Sequence, residues 1–129
     1  MTALAEFEQI GTRGFYRPTG LATLEQAIEL GARAMAHARE CGCVDLLLDT
    51  RGLQGFASPS VTGRYNLALR WAESSGGQLR VAMVVPAEMM DPGKIAVLMA
   101  QNRGVSGDAF TNEADALAWL DMRGRARPA

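Results

Sequence analysis

Histidine occurs once in this chain, as His37, and cysteine twice, as Cys41 and Cys43. One imidazole and two thiols are too few for a structural zinc site, and the single glycine between the thiols is too tight for an ordinary disulfide. Both cysteines are therefore expected as reduced, partly buried thiols. A redox pair would more usually be Cys-x-x-Cys at a helix N-terminus, where the dipole lowers the thiol pKa, whereas this pair follows a helix. Neither a P-loop nor a dinucleotide fingerprint occurs, and the loose Gly52-Leu-Gln-Gly55 reads as a turn. No cofactor and no metal are expected. An excess of one charge is also lacking: Lys plus Arg number 13 against 14 for Asp plus Glu, so no global field pulls the chain onto nucleic acid or an anionic surface. Apolar runs such as 81–85 fall far short of the roughly 20 residues that a membrane-spanning helix needs. Residues 1–10 carry Glu6 and Glu8 and no long apolar stretch, unlike a secretory signal, so a cytoplasmic protein is expected.

A chain of 129 residues is the size of one domain, able to bury a single sizeable core. Two short strands, 7–11 and 15–18, turning through Thr12, Arg13 and Gly14, read as an N-terminal hairpin. Thr23 with Gln26 three residues on forms a capping box. Apolar or small residues then recur at Leu24, Ala27, Ile28, Gly31, Ala34, Met35 and Ala38, which predicts a helix ended by Gly42. The small residues let the backbone lie close to a sheet, while Glu29, Arg33, His37 and Glu40 take the solvated side. Val44 to Leu48 reads as a strand buried on both faces, with Asp49 at its carboxyl end. Ser58 as cap and Pro59 as first position open a second helix, with Val61, Tyr65, Ala68, Leu69 and Ala72 on its apolar stripe and Gly76–Gly77 as its stop.

Leu79 to Val85 is the next buried strand, ended by Pro86. Asp91 and Pro92 open a third helix with Ile95, Leu98 and Met99 inward, and Gly104 ends it. A strand around Asp108 to Phe110 leads to Asn112, cap of a last helix with Ala116, Leu117, Trp119 and Leu120 on or near its buried side. The order β-β-α-β-α-β-α-β-α predicts an α/β fold with a mostly parallel sheet of four to five strands and about four helices. Residues 1–122 form the single domain. Residues 123–129, with Arg123, Arg125 and Arg127, are expected as a flexible basic tail whose three charges give at best weak, salt-sensitive contact with phosphates.

No nucleophile with a positioned base is apparent: His37 lies on a polar helix face, and a general base needs a partner in a cleft. Met89 and Met90 fall in a loop that could border an adaptable apolar pocket, methionine being otherwise ordinary core filler. The most informative stretch is 49–64, which joins the end of the central strand to a helix start. Ligands of open α/β sheets bind beyond the carboxyl ends of strands, and a helix N-terminus offers free N–H groups. Asp49, Arg51, Ser58, Ser60, Thr62 and Arg64 gather there as candidate binding residues for a partner or ligand.

The run Leu46-Leu-Leu-Asp-Thr-Arg-Gly-Leu-Gln-Gly-Phe-Ala-Ser-Pro-Ser-Val resembles the strand-loop-helix of STAS domains, the anti-sigma-factor-antagonist-like fold. The closing Phe110-Thr-Asn-Glu-Ala-Asp-Ala-Leu-Ala-Trp-Leu120 is similar to the final helix of the broader SpoIIAA-like (STAS/SEC14-like) proteins, many of them bacterial. That resemblance implies a non-enzymatic regulatory or protein-interaction domain, forming a homodimer and binding a further protein. It also implies an alternative, a carrier of a small apolar or lipid ligand held between a helix and the sheet with the 89–90 loop as lid. A small serine hydrolase using Ser58 or Ser60 is the least favoured reading, for want of a base. STAS antagonists carry Asp-Ser-Ser-Gly at the helix start, where a serine is phosphorylated. Aligned on Leu48-Asp49, that motif falls on Ala57, Ser58, Pro59 and Ser60, so the acceptor position holds proline. A phosphate on Ser58 or Ser60 would still be favoured by the helix N-terminus.

Overall fold

The computed structural model describes residues 6–57, 59–76, 78–90 and 94–126. The elements run β1 (Phe7–Ile10), β2 (Arg13–Tyr16), β3 (Gly20–Leu21), α1 (Leu24–Glu40), β4 (Asp45–Asp49), β5 (Leu53–Gln54), α2 (Val61–Ser75), β6 (Arg80–Val84), α3 (Ile95–Asn102), β7 (Ser106–Phe110) and α4 (Glu113–Ala126). The main sheet has the order β1-β2-β4-β6-β7, with β1 antiparallel to β2 and the other three pairs parallel. This is the α/β architecture expected, a five-stranded, mostly parallel sheet with four helices. Two-residue strands β3 and β5 pair with each other outside it. They are too short to leave a periodic signal.

Burial on β4 explains its unbroken apolar run. Leu46 and Leu48 face one side with Tyr16, Val81, Met35 of α1 and Trp71 of α2. Leu47 faces the other with Ala82, Val84, and Ala116 and Leu120 of α4. Helix α3 and Val105 after it pack on α2 through Ala100 and Ala68, so three helices cover one face and α4 alone covers the other.

Local chemistry sets the element ends, and several differ from the sequence expectation. The hairpin turns at Gly11 and Thr12, so Arg13 and Gly14 belong to β2; a two-residue loop needs positive φ, and Gly11 supplies it at +61°. Thr23 and Gln26 form the expected capping box. At α2 the cap is Ser60, whose Oγ accepts from the N–H of Gly63 at 3.1 Å, and not Ser58, which lies outside the described residues. Pro59 stands before the helix rather than in its first turn. Gly76 ends it in the left-handed conformation, as expected.

Val44 precedes β4 and is half exposed, with its N–H bonded to the Thr12 carbonyl at the foot of the hairpin. The expected cap of α3 at Asp91 and Pro92 lies outside the described residues, and Leu98, expected inward, is 53% exposed. Helix α4 continues through Ala126, where a tail from 123 was expected. No helix among the described residues is long and apolar enough to cross a membrane.

Candidate functional site

Parallel register brings the carboxyl ends of β2, β4, β6 and β7 to one rim, since Tyr16 pairs with Leu48, Asp49 with Val84, and Val84 with Phe110. The first charged groups beyond those ends meet there. Asp49, 6% exposed, accepts from the Arg51 N–H at 3.0 Å and from the Arg51 guanidinium at 3.0 and 2.8 Å. Just beside it, Arg17 grips Glu113 with two bonds of 2.7 and 2.9 Å and reaches Glu8 at 3.5 Å. Burial alone would raise the Asp49 carboxyl. The hydrogen bonds and positive charge of Arg51 favour the ionised form, and the group is held below the ordinary carboxylate range.

A depressed folded-state pKa stabilises the fold above the unfolded value of about 3.9, and that contribution fades as pH falls through the lower folded value. Asp49→Asn is therefore expected to destabilise the chain more at pH 7 than at pH 3 in urea titrations. A penalty that stays constant across that range would contradict the pairing.

Of the candidate residues, Asp49 and Arg51 come together as one ion pair that shapes the β4–β5 turn. Ser60, Thr62 and Arg64 share the first turn of α2, with the Arg64 N–H bonded to the Ser60 carbonyl. Ser60 is exposed, so a phosphate on it would meet the positive end of the helix dipole. Thr62 is exposed, and Arg64 lines an apolar cleft. Arg17 and Glu113 escaped sequence reading. Their one signal is position, each a charged residue just past a strand end.

That cleft lies between the α1–α2 pair and the segment after β6, and has a volume of about 100 Å³. Ile28, Phe56, Trp71, Met83, Met89 and Met90 give it apolar walls, in line with the placement expected for the two loop methionines. Met89 belongs to a short 3-10 turn, Ala87–Met89. Thr50, Arg64 and Lys94 are its polar lining residues.

A second surface lies on the exposed side of α2. Tyr65 is 42% exposed, Arg103 at the end of α3 stacks over its ring at 5.1 Å and donates to its hydroxyl at 2.9 Å. Thr62, three residues before Tyr65 on the same helix, is exposed beside it.

His37 is not the solvated residue expected. Its ring meets Phe7 edge-on at 4.6 Å, and Nε2 lies 3.5 Å from the Cys41 sulfur. Cys41 and Cys43 are free thiols, half-buried and buried, and burial pushes the Cys43 thiol up. Among the described residues no group of three or more His, Cys, Asp or Glu is placed to hold a metal ion. No protein-family model matches the chain, and no curated protein matches it.

Proposed function

We propose that this chain is a non-enzymatic regulatory domain of the STAS/SpoIIAA-like type that binds a protein partner through the exposed side of α2 and the end of α3. The observation that carries the reading is the Tyr65–Arg103 pair, an aromatic ring and a guanidinium fixed on each other in an exposed position. Tyrosine and arginine are the residue types that most often anchor protein interfaces, and a side chain already held in place loses less entropy on binding. The strand order and the Asp49–Arg51 turn that leads toward α2 support the family reading. Self-association as a homodimer in the cytoplasm belongs to the same proposal.

A lipid carrier draws less support, because ligand pockets for drug-sized molecules run from about 300 Å³ upward. A serine hydrolase draws less still, since the Ser60 hydroxyl is engaged as the α2 cap.

A photo-crosslinking residue at position 65, used in cells, tests the reading. A discrete crosslinked protein from position 65, absent from position 9 on the far edge strand, is the expected result. Discrete products from position 9 and none from position 65 would place the contact elsewhere. Native mass spectrometry of the same material reads whether the chain pairs with itself.

A further inference from the structure

We infer that the cleft beside α2 is a binding site for a neutral, apolar, ring-sized molecule. The inference stands apart from the partner surface, because it uses a different set of side chains and a different chemistry. Its walls are Ile28, Phe56, Trp71 and Met83, closed by Met89 and Met90. Its volume of about 100 Å³ is less than the roughly 150 Å³ of an engineered apolar cavity that accepts benzene, but the cleft opens to solvent and its methionine walls adjust, so a ring seats with part of its surface outside.

Polarity decides the class of ligand. The Thr50 hydroxyl donates to the Val84 carbonyl at 3.0 Å. The Lys94 ammonium sits on Asp108 at 2.8 Å and over the Phe110 ring. Arg64 likewise has an interaction of its own. Each polar lining group thus already has a partner, and a neutral guest leaves those partnerships in place. An apolar guest only exchanges water for hydrocarbon contact. The cleft is too small for an acyl chain, so the guest is a single monocyclic or compact branched group.

Trp71 serves as reporter. It lines the cleft, whereas Trp119, the other tryptophan, packs against Phe110 on the opposite face of the sheet. In the Trp119→Phe chain, titration with 4-fluorotoluene is expected to change Trp71 emission saturably, with a Kd on the order of 1 mM for about five buried carbons. The 19F line of the probe should broaden in parallel. Charged 4-fluorobenzoate should bind at least about tenfold more weakly.

Ala27 of α1 lines the same cleft, and Ala27→Leu fills it from the helix side. In that variant, shown to be folded by an unchanged or raised unfolding midpoint, the saturable response should vanish. Three results would overturn the inference: no saturable response in the folded parent, an equal response in folded Ala27→Leu, or fluorobenzoate binding as tightly as fluorotoluene. None of these bears on the crosslink from position 65, so the two readings can fail separately.

Discussion

Asp45→Ala is expected to lower the stability of the chain by about 3–5 kcal/mol, a large share of the total for a domain this size. Asp45 opens β4 at the amino end of the sheet, in register with Arg13 on one side and Arg80 on the other. Its carboxylate accepts from Arg13 at 2.9 and 3.3 Å and from Arg80 at 2.9 Å. Arg13 continues to Asp121, and Arg80 to the Leu120 carbonyl, so the network ties β2, β4 and β6 to α4. Asp45 and Arg80 are 3% and 5% exposed. Removing the carboxylate takes away the counter-charge that Arg13 and Arg80 share, and that loss beside a nearly fully buried guanidinium dominates the cost. The double replacement Asp45→Leu with Arg80→Met should recover most of the loss, because an apolar pair needs no counter-charge. Urea unfolding of the three chains is the check. A single-variant penalty under about 1 kcal/mol would mean that water reaches Arg80 and the network is worth little.

Trp71→Ala should cost about 3–5 kcal/mol by removing a large buried ring, and its effect on Gly31 provides a sharper test. The indole of Trp71 lies against Gly31 of α1, so closely that a Cβ there would stand 2.7 Å from Cζ2. Its Nε1 donates to the Ile28 carbonyl at 3.0 Å. Gly31→Ala in the parent chain sets a steric penalty of about 1–3 kcal/mol against a helix-propensity gain of about 1 kcal/mol. In the Trp71→Ala background the penalty disappears and the same substitution should stabilise by about 1 kcal/mol. A double-mutant cycle reads the sign change directly. Additive effects would contradict the interlock of α1 with α2.

The element order was legible because each strand and helix keeps its own period. Leu46, Leu47 and Leu48 are buried on both faces by different helices, and the Thr23–Gln26 capping box and the Gly76 stop act within a few residues of chain. The small residues of α1 were legible as a close contact, but their partner was not: Gly31 admits an indole from α2, forty residues away in the chain, where a sheet was expected. Serines at 58 and 60 offer the same cap chemistry. Only the folded backbone selects Ser60. The site was legible in its place, the carboxyl rim of the sheet, and less so in its members. Asp49 and Arg51 are neighbours in sequence and pair with each other, whereas Arg17 and Glu113 meet across 96 positions, and Arg103 reaches Tyr65 across 38. Ion pairs set by strand register carry no local pattern, and Asp45 stands unmarked within the run 44–48.

The affinity of the protein crosslinked from position 65, measured for the parent chain and for Tyr65→Ala, Arg103→Ala and Gln9→Ala, tests the proposed contact surface most directly. The first two variants are expected to weaken binding by about 30-fold or more, as removal of an interface anchor does, with Gln9→Ala within about twofold of the parent. Unchanged affinity in Tyr65→Ala and Arg103→Ala, with each variant folded, would contradict the account.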